Sequence, residues 1–173
     1  MATNNAFNTY IVPTTANEVT QPSQPAFLAY LGTKDLNVTG DETTYVLGED
    51  HALTQVFDQN SDFDVGGSGG SGQATFTAPV TGRYKIDVIL CAVSATGGTR
   101  EFIKLVTSNR LYQSTSVPFV ATAGSADNHR NLSILADMDA ADTAHVEYQI
   151  SGIAKIVDID NAPATYFSGR LEV

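Results

Sequence analysis

Basic residues are scarce in this chain of 173 residues: nine Lys and Arg stand against nineteen Asp and Glu, a net charge of −10. The nine bases are scattered, and no two are adjacent. This excludes a nucleic-acid surface, where neutralising phosphates takes clustered cations, and it excludes docking on anionic membranes. Cysteine is nearly absent. Cys91 is the only one, inside the apolar run at residues 88–93. No intrachain disulfide can form, so stability does not depend on an oxidising compartment, and a buried, inert thiol is expected. No apolar run approaches the roughly 18 residues of a membrane-spanning helix, so membrane insertion is not expected. Residues 1–6 lack the basic and apolar regions of a signal peptide, so synthesis in a cytoplasm without signal-directed secretion is the expectation.

Catalytic groupings are missing as well. His51, His129 and His145 are far apart and show no metal-ligand spacing. No Ser-His-Asp set can be assembled, and the chain is not expected to be an enzyme. One stretch does satisfy two catalytic patterns. Gly67-Ser68-Gly69-Gly70-Ser71-Gly72 fits the G-x-G-x-x-G of dinucleotide turns, and Gly66-Gly67-Ser68-Gly69-Gly70 fits the G-x-S-x-G of a nucleophile elbow. Both need a buried strand before and a helix after. Here a polar run with Asp62 and Asp64 precedes, and Gln73-Ala74-Thr75-Phe76-Thr77-Ala78-Pro79 follows, which cannot start a helix. A flexible Gly/Ser loop is the expectation.

What is present is strand and turn. Residues 82–88 alternate, with Tyr84, Ile86 and Val88 on one side and Arg83, Lys85 and Asp87 on the other; residues 144–150 alternate again. That period of two marks half-buried strands. Further candidates are residues 26–31, 56–57, 101–107, 132–135, 155–159 and 166–173. Turn clusters at Gly40-Asp41, Gly97-Gly98, Gly124-Ser125 and Asp160-Asn161 separate them. Many short strands at this spacing predict an all-β sandwich or jelly roll. Residues 1–24 differ: rich in Asn, Thr and Ala, with Pro13 and Pro22, they read as an extended N-terminal arm without a core. Phe7, Tyr10, Ile11 and Val12 are its candidate anchors. Asp158 and Asp160 with Asn161 offer the hard oxygen ligands that calcium takes, as Asp62 and Asp64 do less completely; the competing reading is a solvated turn. No other cofactor is expected.

Two segments carry a resemblance. Residues 76–88, "FTAPVTGRYKIDV", and residues 166–173, "YFSGRLEV", together look like the globular head domain of the complement q subcomponent, in the superfamily shared with tumour necrosis factor. The likeness spans residues 25–173. Ile86 and Val88 stand where the family signature has aromatics, and the Gly/Ser loop stretches the spacing before Phe76. The resemblance implies a ten-stranded jelly-roll β-sandwich that forms a homotrimer and works by binding. It implies that Phe27, Phe57, Phe76, Gly82, Tyr84, Phe167 and Gly169 build core and trimer seam, with Gly82 turning the chain into its long strand and Gly169 lying where a neighbouring backbone comes close. Tyr30 joins that set, because residues 27–31 carry apolar side chains on both faces. Some relatives hold calcium near the trimer apex.

The family's collagen-like stalk is absent, since no Gly-X-Y repeat occurs. Lone jelly rolls of this kind are similar to modules on bacteriophage tails, fibres and capsids. The expected function is therefore a trimeric virion protein, a fibre head or capsid decoration. It would attach to a capsid or tail protein through residues 1–24 and bind a host-surface receptor or glycan. A free bacterial ligand- or carbohydrate-binding module is the alternative.

Overall fold

A computed structural model describes residues 12–13, 19–20, 23–67, 72–117 and 127–173. Among them no helix forms, and fifteen strands do. In chain order these are β1 (Val12–Pro13), β2 (Val19–Thr20), β3 (Ala26–Leu31), β4 (Asp35–Thr39), β5 (Thr44–Val46), β6 (Leu53–Asp58), β7 (Phe63–Asp64) and β8 (Thr75–Thr77). They continue with β9 (Gly82–Val93), β10 (Arg100–Thr107), β11 (Leu111–Ser116), β12 (Asn128–Met138), β13 (Thr143–Ser151), β14 (Val157–Ile159) and β15 (Tyr166–Leu171). Fifteen segments replace the ten expected because several edges are assembled from pieces of two or three residues, such as β5 and β8 along one side of β13.

Two antiparallel sheets pack face to face as a jelly roll. The larger runs β6-β3-β15-β9-β12, with β14 beside the last residues of β9 and β4 outside β14. The smaller runs β11-β10-β13-β8-β7, with β5 also on β13. Their inner faces follow the period-two pattern. On β9, Tyr84, Ile86, Val88 and Leu90 are buried, and on β13, Ala144, Val146, Tyr148 and Ile150 are fully buried. Cys91, Ala92 and Val93 break the alternation and are all buried, because β14 and the segment around Thr165 cover that end of the sheet.

An aromatic cluster anchors the core. The Phe27 ring stacks on Phe63 (centroids 4.3 Å) and Phe76 (5.0 Å) and meets Phe167 edge-on (5.0 Å), while Phe76 touches Tyr84 at 5.3 Å. Each such pair adds about 0.5–1.5 kcal/mol beyond its area burial. Gly169 makes room for this cluster: a Cβ there would lie 2.6 Å from Phe27 Cε1, so the close neighbour is an aromatic ring and not the backbone expected. Gly82 likewise serves proximity more than turning. It is the first residue of β9, and a Cβ would lie 2.6 Å from Leu171 Cδ1 and 2.8 Å from the Val173 carbonyl.

Phe57, expected in core or trimer seam, is not in the core: it is 45% exposed on the outer face. The ladder between β3 and β6 shifts register between Leu28 and Ala29, leaving Val56 unpaired, so Phe57 sits opposite the outward Leu28. The strand expected at 155–159 shortens to β14. The one expected to reach the last residue stops at Leu171, although Glu172 N–H and Val173 C=O still bond to Arg83. In the arm, β1 pairs antiparallel with β2, Val12 opposite Thr20 and Pro13 opposite Val19.

The Gly/Ser stretch joins β7 to β8, which pair antiparallel with Phe63 opposite Phe76. Gly67 N–H donates to Gly72 C=O at 3.1 Å. Strand therefore follows the glycines, and the helix that either catalytic motif requires is not there. Residues 68–71 lie outside the described residues.

Candidate functional site

The strand directions give the sandwich a foot and a tip. β3 leaves the foot and β15 returns to it. There the arm and the C-terminus meet: Leu171 N–H donates to Pro25 C=O at 3.0 Å, and Gln24 Nε2 donates to Leu171 C=O at 2.6 Å. Asn60 Nδ2 holds Ser23 C=O at 3.0 Å. Between these groups opens a groove of about 450 Å³ with Pro25, Pro79, Val80, Leu171 and Val173 among its walls. The arm leaves the domain at the rim of this groove. Phe7, Tyr10 and Ile11 lie outside the described residues, and of Val12 only its place in β1 is described.

The outer face of the larger sheet is the second feature. Tyr30, Tyr166 and Ile89 lie side by side across β3, β15 and β9, with the tyrosine rings 6.1 Å apart. Ile89 is 47% exposed and Leu135 55%, and Leu28 and Tyr30 are half-buried. A shallow recess of about 230 Å³ lies beside them, bounded by Leu28, Phe57, Ser168 and Arg170. This face is apolar towards the tip, whereas towards the foot Asp87, Ser168, Lys85 and Arg170 share it, with Lys85 and Asp87 paired. Phe27, Phe76, Tyr84 and Phe167 point the other way, into the core.

At the tip the calcium candidates are otherwise engaged. Lys34 Nζ lies 3.4 Å from Asp158 and 3.9 Å from Asp160, and Asn37 N–H donates to Asp158 at 2.9 Å. Asn161 donates through Nδ2 to Gly32 C=O at 3.3 Å. The Lys34 ammonium thus lies beside both carboxylates. Asp64 accepts from Gly66 N–H at 3.0 Å, while one buried oxygen of Asp62 has no partner. Burial, and then the neighbouring Asp58, push the Asp62 carboxyl up. Among the described residues no three His, Cys, Asp or Glu side chains gather as a metal site would require.

Sequence reasoning missed two polar clusters. Asp35, fully buried at the start of β4, accepts from Tyr45 OH at 2.5 Å and from His51 Nδ1 at 2.5 Å. Burial raises the Asp35 carboxyl and raises Tyr45 well above its ordinary value. Near the tip, Glu101 accepts from Ser116, Asn128, Arg130 and Tyr148. Burial first, then Glu101, raises the Tyr148 hydroxyl. The signal for Glu101 was available: it is in phase with the buried Ile103 and Leu105 of β10. The Cys91 thiol is pushed up to about 11 by burial, which keeps it protonated.

No family model matches the sequence, and no curated protein matches it. Solved structures do. The vertex protein P5 of phage PRD1 superposes with a TM-score of 0.58 at 9% identity, over 87% of this chain and 98% of that one. Murine APRIL, of the tumour-necrosis-factor family, gives 0.55 at 9% identity over 87% of this chain and all of its own. The globular domain of a zebrafish complement 1qA protein gives 0.51 at 16% identity, over 87% and 98%. The chain has the jelly-roll fold that these proteins share.

Proposed function

We propose that the chain is a non-enzymatic, homotrimeric structural protein of a bacteriophage virion, a fibre head or capsid decoration. Residues 1–24 attach it to a capsid or tail protein, and the tip faces outward to a host surface. The observation that carries this reading is that the arm and the C-terminus leave the fold of a phage vertex protein at one end, held together by Gln24, Pro25 and Leu171, which frees the other end. The outer face through Tyr30, Tyr166 and Ile89 suits a seam between copies, because an apolar sheet face is stabilised by being covered. Three arms at one end would bind a particle multivalently, so modest single contacts suffice.

Deleting residues 1–24 tests the reading. The expected product is folded and soluble but no longer incorporated into purified particles. Equal incorporation of full-length and truncated protein would overturn the anchoring role and favour a free ligand-binding module.

A further inference from the structure

The foot groove, of about 450 Å³, opens where the arm begins. Its walls offer Pro25, Pro79, Leu171 and the exposed Val80 and Val173. We propose that this groove seats the apolar segment 7–12 of the same chain in the unattached protein. The proposal rests on reading residues 1–24 as the attaching arm, because it says where that arm is kept before it meets a carrier.

Three observations converge on this occupant. First, β1 runs antiparallel to β2 with Val12 opposite Thr20 and Pro13 opposite Val19. Any continuation of that ladder past Val12 and Thr20 runs towards Pro22 and Ser23, at the rim of the groove. A ladder extended in that register would bring the segment before Val12 towards the domain. Second, Phe7, Tyr10, Ile11 and Val12 put four large apolar side chains within six residues, and the arm has no core to bury them. A recess of about 450 Å³ falls within the range of pockets that enclose small ligands, so it has room for side chains of this kind. Third, the charges permit it. Residues 1–17 carry no acidic or basic side chain, so laying them on an acidic domain meets no repulsion.

The same chain is favoured over a neighbour's arm by proximity. Ten residues separate Val12 from Ser23. Loop-closure cost rises slowly with length, and a short tether sets an effective concentration in the millimolar range. Attachment to a carrier then exchanges one apolar surface for another. Before attachment, this seat keeps the anchor residues from binding indiscriminately.

Cross-linking in the full chain tests the seat without any carrier. Cys91 is buried and stays silent. Ile11→Cys combined with Val80→Cys should form an intrachain disulfide on mild oxidation. The rate should be at least tenfold above that of Ile11→Cys with Thr115→Cys, whose second site lies on β11, away from the foot. Equal rates, or only interchain products, would overturn the proposal. As a second measurement, Val80→Glu should speed amide exchange at residues 10–12 at least tenfold. Val80 is 46% exposed, so the fold tolerates the change; unaltered exchange would overturn the seat. Neither readout involves a particle, so a failed seat leaves the anchoring role standing. A failed deletion test would remove that role and leave the cross-link unaffected.

Discussion

Glu101 on β10 and Arg130 on β12 form an ion pair that joins the two sheets of the sandwich, with the carboxylate 1% exposed. Ser116, Asn128 and Tyr148 complete its hydrogen bonds. Such a pair is weak evidence of net stabilisation, but removing one partner strands the other charge. Arg130→Ala should therefore cost about 3 kcal/mol, the low end of the usual range because Arg130 is a quarter exposed. Glu101→Gln combined with Arg130→Met should recover most of that loss. Urea unfolding of the three proteins decides it, and a loss below about 1 kcal/mol in Arg130→Ala would show that the pair is not isolated from water.

Asp35 predicts a pH dependence of defined sign. Its carboxyl is fully buried, and burial raises it above its ordinary value of 3.8, with Tyr45 and His51 opposing. An acid whose folded pKa is raised binds its proton more tightly in the native state. Its contribution to stability is complete below 3.8 and is lost as pH rises through the raised value. The unfolding free energy of the parent relative to Asp35→Asn should accordingly fall with rising pH above 3.8. Asn at this position keeps an acceptor for Tyr45. A difference that rises with pH would mean that His51, 2.5 Å away, governs the site instead.

The Gly/Ser hairpin predicts an absence of effect. It links β7 to β8 and closes through Gly67 and Gly72. Gly66 has φ +85°, and a Cβ there would lie 2.5 Å from Gly48 C=O, so the shortened loop must keep Gly66. Replacing residues 67–72 with a two-residue turn should change stability by less than about 1 kcal/mol, because closure cost varies slowly with length. Loss of a nucleotide-binding or hydrolytic activity on shortening would mean that the glycines do chemistry after all.

Residues 82–88 of β9 and 144–150 of β13 were legible because each stretch buries one face more deeply than the other, so hydrophobicity alternates there. β11 escaped notice: Leu111-Tyr112-Gln113-Ser114-Thr115-Ser116 is an edge strand with little to bury. Phe57 faces outward because the unpaired Val56, its neighbour in β6, shifts the register against β3, and alternation alone does not reveal where such a bulge falls. Lys34 and Asp158 lie 124 positions apart, so the ammonium beside Asp158 and Asp160 could not be read beforehand. The foot groove depends on β3 meeting β15, which joins the two extremes of the domain.

The apolar outer face yields the last prediction. Three copies carry −30 in total, and like charges repel, so a trimer seam has to be mostly apolar and on the order of 2,000 Å². Ile89 is central on that face, opposite Tyr166, and 47% exposed in the single chain. Its side chain plays no part in the core, so Ile89→Lys should leave the monomer folded. A lysine in a closed seam must lose its hydration without a partner, which costs several kcal/mol per copy. Light scattering at micromolar concentration should give a trimer mass for the parent and a monomer mass for Ile89→Lys. Thr115→Lys, on the other sheet, should stay trimeric. Added salt should tighten the parent assembly by screening its charge. A monomeric parent would end the trimer proposal, and an Ile89→Lys protein that stayed trimeric would move the seam to another face.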